Sequence, residues 1–435
     1  MRFVIFFAVL LGLLGLINGY VYWRAVRAFG WGKVGRRRWA GLLAVGIVAT
    51  VLARFLAPLG DLAVALVGGV GATILIGSMV AFGVLAVDGV VRGLFFVASR
   101  IRRPRDGRQG MAPKDATPEE TNPEGRVGDV ATQAPADASL AAASEPPPSP
   151  GAAPPVAPAA LTRRSLLERA TVTGALGLGG STALYGAVLG RSDYTVEEVP
   201  IHLERLPSAL DGYTITQLSD LHVGLFIGDD ELSAALGLVR ETRPDAIVLT
   251  GDLIDNDVAY GPTLARFLRR LSEVAPTYAI PGNHDHYAGV GATLRYAREA
   301  GARVLFNHHE RIAEGKIVLA GVDDVWARRR GQGGPDLRRT LYGAPPDAPR
   351  ILLSHNPVFF PEASDEVDLQ LSGHTHGGQF NPGVRPAELV LPFGYVAGRY
   401  ERDGAQLYVN RGFGTTGPPS RLGSAPEITK LVLTS

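Results

Sequence analysis

The chain has 435 residues and contains no cysteine, only three methionines and four tryptophans, and a net charge of just +1 from 43 basic and 42 acidic side chains. Without cysteine there are no disulfides and no thiolate metal sites, so any metal has to be held by His, Asp, Asn or Glu. The lack does not choose a compartment. The balance of charge gives no argument for binding nucleic acid, and no nucleic-acid partner is expected. Between Arg105 and Ala160 almost every aromatic and branched aliphatic residue is missing, and Pro, Ala, Ser and Glu take their place, with Pro146-Pro147-Pro148-Ser149-Pro150 near the end. A stretch of this kind cannot build a core, so residues 106–160 read as a disordered linker.

Charge is also sparse in the first hundred residues. Phe3 to Trp23 is an almost unbroken apolar run, Trp39 to Leu59 is broken only by Arg54, and Leu62 to Val87 is rich in Gly and Val. Each is close to the roughly 20 residues that cross a hydrocarbon core, and residues 1–105 read as a membrane region with three spans. A buried helix of a soluble protein is the other reading of such a run, and it fits this length and charge density poorly. Arg24, Arg27, Lys33, Arg36, Arg37 and Arg38 follow the first span, and Arg100, Arg102, Arg103 and Arg105 follow the third, while Pro58 to Asp61 carries no basic residue. The positive-inside rule puts both basic clusters in the cytoplasm and the N-terminus outside. No Asp, Glu or His lies within these spans, which favours anchoring over transport or sensing.

Residues 161–193 hold Thr162-Arg163-Arg164-Ser165-Leu166-Leu167 and then the apolar stretch Ala170 to Leu189. This order resembles a twin-arginine export signal in an internal position, which would make the export machinery a partner. It reads equally as a fourth membrane helix with flanking arginines. Either way the domain that follows is expected on the outer side of the membrane.

From Tyr194 to the end, short β-rich runs alternate with amphipathic segments. Strands are expected at Thr214–Leu218, Ala246–Thr250, Tyr278–Ile280, Val304–Phe306, Ile317–Ala320, Ile351–Leu353, Leu369–Leu371, Gln406–Val409 and Thr429–Leu433. Helices are expected at Asp230–Glu241, capped by Asp229 or Asp230, at Thr263–Ser272 and at Ala292–Ala300. The alternation predicts an α/β or α+β domain over residues 194–435.

Five short sequences carry the chemistry, each at or just after a predicted strand: Asp220-Leu221-His222, Gly251-Asp252-Leu253-Ile254-Asp255, Gly282-Asn283-His284-Asp285, Ser354-His355-Asn356 and Gly373-His374-Thr375-His376. Loops at strand ends are where α/β folds place their sites. Carboxylates, imidazoles and an amide oxygen without sulfur suit hard-to-borderline divalent cations. Seven ligands are too many for one tetrahedral ion and suit two ions about 3.5–4 Å apart.

This ordered set resembles the calcineurin-like metallophosphoesterase superfamily from about Thr214 to the C-terminus. Gly373-His374-Thr375-His376-Gly377-Gly378-Gln379 and Arg411-Gly412…Arg421 further resemble a bacterial membrane-linked subgroup, some of whose members are associated with cell-envelope lipids. The resemblance implies an αββα sandwich of two facing sheets flanked by helices. It assigns Asp220, His222 and His376 to one metal, Asn283, His355 and His374 to the other, and Asp252 to the bridge, with Mn, Fe or Zn as occupants. It sets His284 beside the substrate as the acid for the leaving group, oriented by Asp255, and brings Arg421 near the substrate phosphate. The implied activity is hydrolysis of phosphomonoesters or phosphodiesters, including pyrophosphate-linked lipids, at the outer face of a bacterial inner membrane. A non-catalytic, membrane-anchored metal-binding module is the alternative, and it has no need of His284.

Other residues have weaker claims. Asp323 and Asp324 read as turn or capping residues, and otherwise as part of the rim. Arg328, Arg329 and Arg330 beside Trp326 read as a solvated charge run, and otherwise as a contact for phosphate. Gly331 to Gly334 opens what reads as a mobile insertion up to Pro349. His308 and His309 read as surface residues, and His286 is near the site in sequence only.

Overall fold

The apolar runs at the start of the chain are helical, which lets the backbone satisfy its own polar groups where side chains offer no partners. In the computed structural model, which describes residues 2–53, 61–101, 162–381, 383 and 385–435, they form α1 (Arg2–Phe29), α2 (Lys33–Ala53), α3 (Asp61–Ile101) and α4 (Arg163–Val188). Two segments among the described residues are long and apolar enough to cross a membrane, Val67–Ala98 and Arg163–Ser192. The expected linker at 106–160 and the end of the second expected span, from Arg54 onward, lie outside the described residues. Helix α1 continues past Trp23, so Arg24 and Arg27 belong to its last turns rather than to a loop. Arg24 is buried and donates to the Leu85 carbonyl at 3.0 Å.

One compact unit comprises Met1–Val87 and Glu168–Ser435, and a second comprises Asp88–Leu167. In the second, Arg92 pairs with Asp88 one turn earlier at 2.8 Å. In the first, Val172 and Ala175 of α4 pack with Val21, Ala25 and Ala28 of α1 and with Ala81 and Leu85 of α3.

The remainder of the first unit is built on two six-stranded sheets. Its elements are β1 (Thr195–His202), β2 (Thr214–Leu218), α5 (Asp229–Thr242), β3 (Ala246–Thr250), α6 (Gly261–Ser272), β4 (Thr277–Ile280), α7 (Asn283–Ala288), α8 (Val290–Glu299) and β5 (Arg303–Val304). Then come β6 (His308–Ile312), β7 (Ile317–Gly321), α9 (Val325–Arg329), α10 (Leu337–Thr340), β8 (Arg350–Leu353), β9 (Leu369–Ser372), β10 (Gly398–Arg402), β11 (Ala405–Val409) and β12 (Glu427–Thr434). The first sheet runs β1-β12-β2-β3-β4-β5 and the second β10-β11-β9-β8-β7-β6.

The period of two along a strand sends alternate residues to opposite faces, and this divides the core. Ile215, Val248, Ile280, Leu319, Ile351, Leu369 and Leu431 meet between the sheets. Leu218, Ile247, Leu249 and Ala279 point the other way, onto Leu236 and Val239 of α5 and Leu264, Phe267 and Leu271 of α6. Strands β2, β3 and β4 are mutually parallel, as are β7, β8, β9 and β11. The parallel strands of each sheet therefore present their C-terminal ends together.

Three strands were not expected: β1, β6 and β10. All three are edge strands. Their sequences, TVEEVPIH, HHERI and GRYER, carry the charges that protect a sheet edge, so the apolar signal of a buried strand is missing. Helix α5 is capped by Gly228 rather than by an aspartate; Glu231 reaches back to the Gly228 N–H at 3.0 Å, and Asp229 and Asp230 occupy the first turn. In the segment after Gly331, Asp323 accepts from the Gly334 N–H at 3.0 Å, and Asn307 donates to the Gly334 carbonyl at 2.9 Å.

Candidate metal centre

Each of the five motifs leaves the C-terminal end of a parallel strand: Asp220 and His222 follow β2, Asp252 follows β3, Asn283 follows β4, His355 follows β8, and His374 and His376 follow β9. Turning a side chain back over the strand end needs an unusual backbone. Asp220, His222, Asp252, His374 and His376 all adopt positive φ, between 47° and 72°. Such conformations cost of order 1–3 kcal/mol each and persist where the surroundings hold them. In both Asp-x-His and His-x-His the two outer residues take this form, which aims both side chains the same way.

The seven side chains form two groups. In one, His376 Nε2 is 3.1 Å from His222 Nε2 and 3.4 Å from Asp220 Oδ1. In the other, His355 Nε2 is 3.2 Å from Asn283 Oδ1 and 3.2 Å from His374 Nδ1. Asp252 Oδ2 belongs to both, 3.7 Å from His222 Nε2 and 3.2 Å from His355 Nε2. All are buried except His374, which is half-buried.

The donors fit divalent cations on electrostatic grounds. His355 Nδ1 is 2.8 Å from the Thr250 carbonyl, which can only accept, so Nδ1 carries a proton and, in the neutral ring, Nε2 presents its lone pair. That lone pair faces the Asp252 carboxylate oxygen, the Asn283 amide oxygen and His374 Nδ1. Acceptors converging in this way repel one another unless a metal ion, or a proton on His355 Nε2, stands among them; the Asp252 carboxylate favours positive charge at this point in either case. Spacings of about 3.3 Å are those that ligands 2.0–2.2 Å from one tetrahedral ion would show. Three triads are each close enough to hold an ion: Asp220–His222–His376, Asp252–His355–His374, and His222–Asp252–His284, which shares a residue with each of the other two. Burial pushes the His374 imidazole down to about 4 and holds His376 well below its ordinary value, which leaves their nitrogens free as ligands.

His284 stands beside these groups. Its Nδ1 is 2.8 Å from the Asp255 carbonyl and 3.1 Å from Asp255 Oδ1, and its ring lies edge-on to His222 at 4.6 Å. Burial opposes its charge, but the hydrogen bond to Asp255 and the charges of Asp252 and Asp255 outweigh burial and raise its pKa to about 9. Nε2 faces Thr416 Oγ1 at 3.4 Å.

Several supporting residues carry no assignment from the motifs. Asp285 is fully buried and accepts from the N–H groups of Gly282, Leu253 and Ile254 at 2.8–3.1 Å, which ties the β4 loop to the β3 loop. Its sequence signal is an acid at the third residue of a helix after a capping glycine. Ser219 donates to Asp220 Oδ2 at 2.5 Å, and nothing in the sequence marks it beyond adjacency. Asp324 caps α9 by accepting from the Trp326 N–H at 2.8 Å, as a capping residue should, while Asp323 pairs with His286 at 2.7 Å. Arg328 pairs with Glu362 at 2.8 Å and Arg330 lies over the Trp326 ring at 4.6 Å. His309 is half-buried and donates from Nδ1 to the Thr340 carbonyl at 2.6 Å. The expected phosphate contact of Arg421 is corrected by its surroundings. Arg421 is 1% exposed and its donors go to backbone carbonyls, so its guanidinium has no face for a substrate.

Comparison with known proteins agrees with this geometry. Residues 213–378 match the family described as calcineurin-like phosphoesterase. The chain is 35% identical over 263 residues to a transmembrane protein with metallophosphoesterase domain from Danio rerio, covering 58% of this chain and 60% of that one. It is 34% identical over 289 residues to the uncharacterized metallophosphoesterase YkuE of Bacillus subtilis, covering 63% of this chain and 98% of that one. An uncharacterized metallophosphoesterase of Aquifex aeolicus is 35% identical over 245 residues, covering 54% and 89% respectively. The chain spans little more than half the length of the vertebrate relatives, 60% in Danio rerio and 56% in Bos taurus. With two sheets, parallel strand ends bearing the five motifs, and a relative matched over nearly its whole length, the chain belongs to the calcineurin-like metallophosphoesterase family.

Proposed function

We propose that this chain is a membrane-anchored phosphoesterase that uses two divalent metal ions to hydrolyse phosphomonoesters or phosphodiesters of the cell envelope, pyrophosphate-linked lipids among them. The observation that carries the reading is the sharing of Asp252 Oδ2 between two groups of converging acceptors. Asp220, His222 and His376 would hold one ion and Asn283, His355 and His374 the other, with Asp252 available to both. When bound, such ions activate a water as the nucleophile and neutralise the phosphate oxygens. Mn, Fe and Zn all suit these ligands.

The chain's own residues do the rest. His284 donates a proton from Nε2 to the leaving oxygen, and Asp255 holds Nδ1, which leaves Nε2, beside Thr416 Oγ1, as the nitrogen that donates. Burial of the ligand carboxylates and imidazoles excludes competing water from the cluster.

Residues 1–105 and α4 anchor the chain in the inner membrane of a bacterium, residues 106–160 link them on the cytoplasmic side, and residues 194–435 work on the outer side. The positive-inside distribution of Arg24–Arg38 and Arg100–Arg105 supports this orientation. The test uses the full chain in detergent with added manganese, assayed on a monoester, a bis-aryl diester and a nucleotide-linked glycolipid, with metal content measured alongside. Two ions per chain and turnover of at least one substrate are expected; two ions without turnover of any would favour a binding module. A reporter fused after Ser435 should read outside and one near Pro150 inside.

A further inference from the structure

Helix α4 does not stop at the edge of the metallophosphoesterase domain. Its Gly186 carbonyl accepts from the Arg421 N–H at 3.0 Å. A Cβ at Gly186 would come to 2.5 Å from Ser420 Oγ and 3.0 Å from the Arg421 carbonyl oxygen, and a Cβ at Gly190 would collide with that same oxygen. Neither glycine has positive φ, so what each provides is space. The other end of α4 is fixed by its packing on α1 and α3, where Gly179 lies against Gly77.

From this contact Arg421 reaches the metal centre. Its Nε donates to the Gly414 carbonyl at 3.1 Å, and Nη1 donates to the carbonyls of Arg411 at 2.9 Å and Ser424 at 3.2 Å. Nη2 donates to the carbonyls of Gly412, at 2.9 Å, and Gly414. Nη2 also lies within hydrogen-bond distance of His376 Nδ1, at 3.1 Å. The loop that Arg421 gathers together also holds the metal ligands by their backbones. Gly414 donates to the Asp220 carbonyl at 2.7 Å, and Ser424 Oγ donates to the His376 carbonyl at 2.7 Å. A buried guanidinium spending its forked donors on one loop acts as an internal crosslink.

We propose that Arg421 is a positioning residue for the Asp220–His222–His376 group, and that the end of α4 sets its place, so that the helix is a structural part of the metal centre and not only a tether. This rests on the two-metal reading above. It gives α4 a reason to remain attached to the domain.

The test is manganese binding by the full chain in detergent, read by metal content and by the electron paramagnetic resonance of the bound ions. The wild type should take two ions and show a spin-coupled pair. Arg421→Gln should weaken binding of one ion roughly 10–100-fold, the usual cost of losing a residue that orients a ligand, and leave the signal of an isolated ion. Gly186→Ala should do the same to a smaller degree, because its new methyl meets Ser420 Oγ. That hydroxyl is buried without a hydrogen-bond partner among the described residues. Ser420→Ala alone should therefore leave binding unchanged, and added to Gly186→Ala it should restore much of the lost affinity. A general folding defect would not be relieved by this pair. Two ions bound with wild-type affinity and coupling in both Arg421→Gln and Gly186→Ala would overturn the proposal. A wild-type chain that binds no manganese would overturn the metal reading beneath it, a different result.

Discussion

The two halves of the metal centre are held in different ways. Asn283 stands on the end of β4 in one sheet, and His355 and His374 stand on the ends of the adjoining strands β8 and β9 in the other; the Thr250 carbonyl orients His355, and Asp285 fastens the β3 and β4 loops together. Asp220, His222 and His376 also stand on strand ends, but the backbones of Asp220 and His376 are held by the segment between Arg411 and Ser424, which is itself pinned by Arg421 and the end of α4. One half is a local consequence of the sheets. The other depends on a loop and a helix from distant parts of the chain, so it should respond to changes far from the ligands.

The largest effect should come from the residue common to both halves. Asp252→Ala is expected to reduce hydrolysis to background and bound metal to less than one ion per chain; full activity would remove the shared-carboxylate assignment. Next, His374→Ala and His376→Ala should each lose one ion and nearly all turnover. The contrast lies in what remains: removing His374 should leave the half braced by Arg421, and removing His376 should leave the half braced by Asp285. Competition titrations with manganese and zinc would reveal whether the two residual sites differ in affinity, and identical residual sites would weaken the contrast.

His284→Ala should spare both ions and lower the rate by roughly 10²–10⁴, the usual worth of a general acid. The loss should shrink for a nitrophenyl leaving group, which departs without a proton. With the His284 pKa raised to about 9, the acid is present below that pH, and its contribution should fade as the pH rises through it. The variant should lack that alkaline limb. A loss equal for all leaving groups would count against the role. The smallest effect is expected from Asp285→Asn, which keeps the shape but weakens the bonds to three backbone N–H groups. A destabilisation of about 1–3 kcal/mol should appear as a lower thermal midpoint.

Much of the domain could be read along the chain because its signals are local. The buried central strands are continuous apolar runs, and β2 and β3 begin and end where they were expected. The edge strands were unreadable because an edge is protected by charge, so β1, β6 and β10 look like loops until a neighbour pairs with them. Among the site residues, those whose type is unusual after a strand, such as the two histidines of His374-Thr375-His376, stood out. Asp285 did not, since a carboxylate bonded to backbone N–H groups looks like any helix-capping acid.

What the sequence by itself determined is the chemistry available: oxygen and nitrogen ligands without sulfur, in five motifs that each follow a strand, and apolar runs too long and too bare of charge to belong to the surface of a soluble domain. What only the tertiary structure decided is which of these groups meet. Strand order brings β2, β3 and β4 alongside one another in one sheet and β8 alongside β9 in the other, and so sets Asp252 between the two histidine groups. It also decided the use of Arg421. The family resemblance set this cationic side chain, which lies in a Pro- and Gly-rich loop, near the substrate phosphate. Burial left it no route to solvent, and the carbonyls of its own loop became its acceptors. Residue type and spacing are properties of the chain, whereas desolvation and convergence depend on what the rest of the fold brings near.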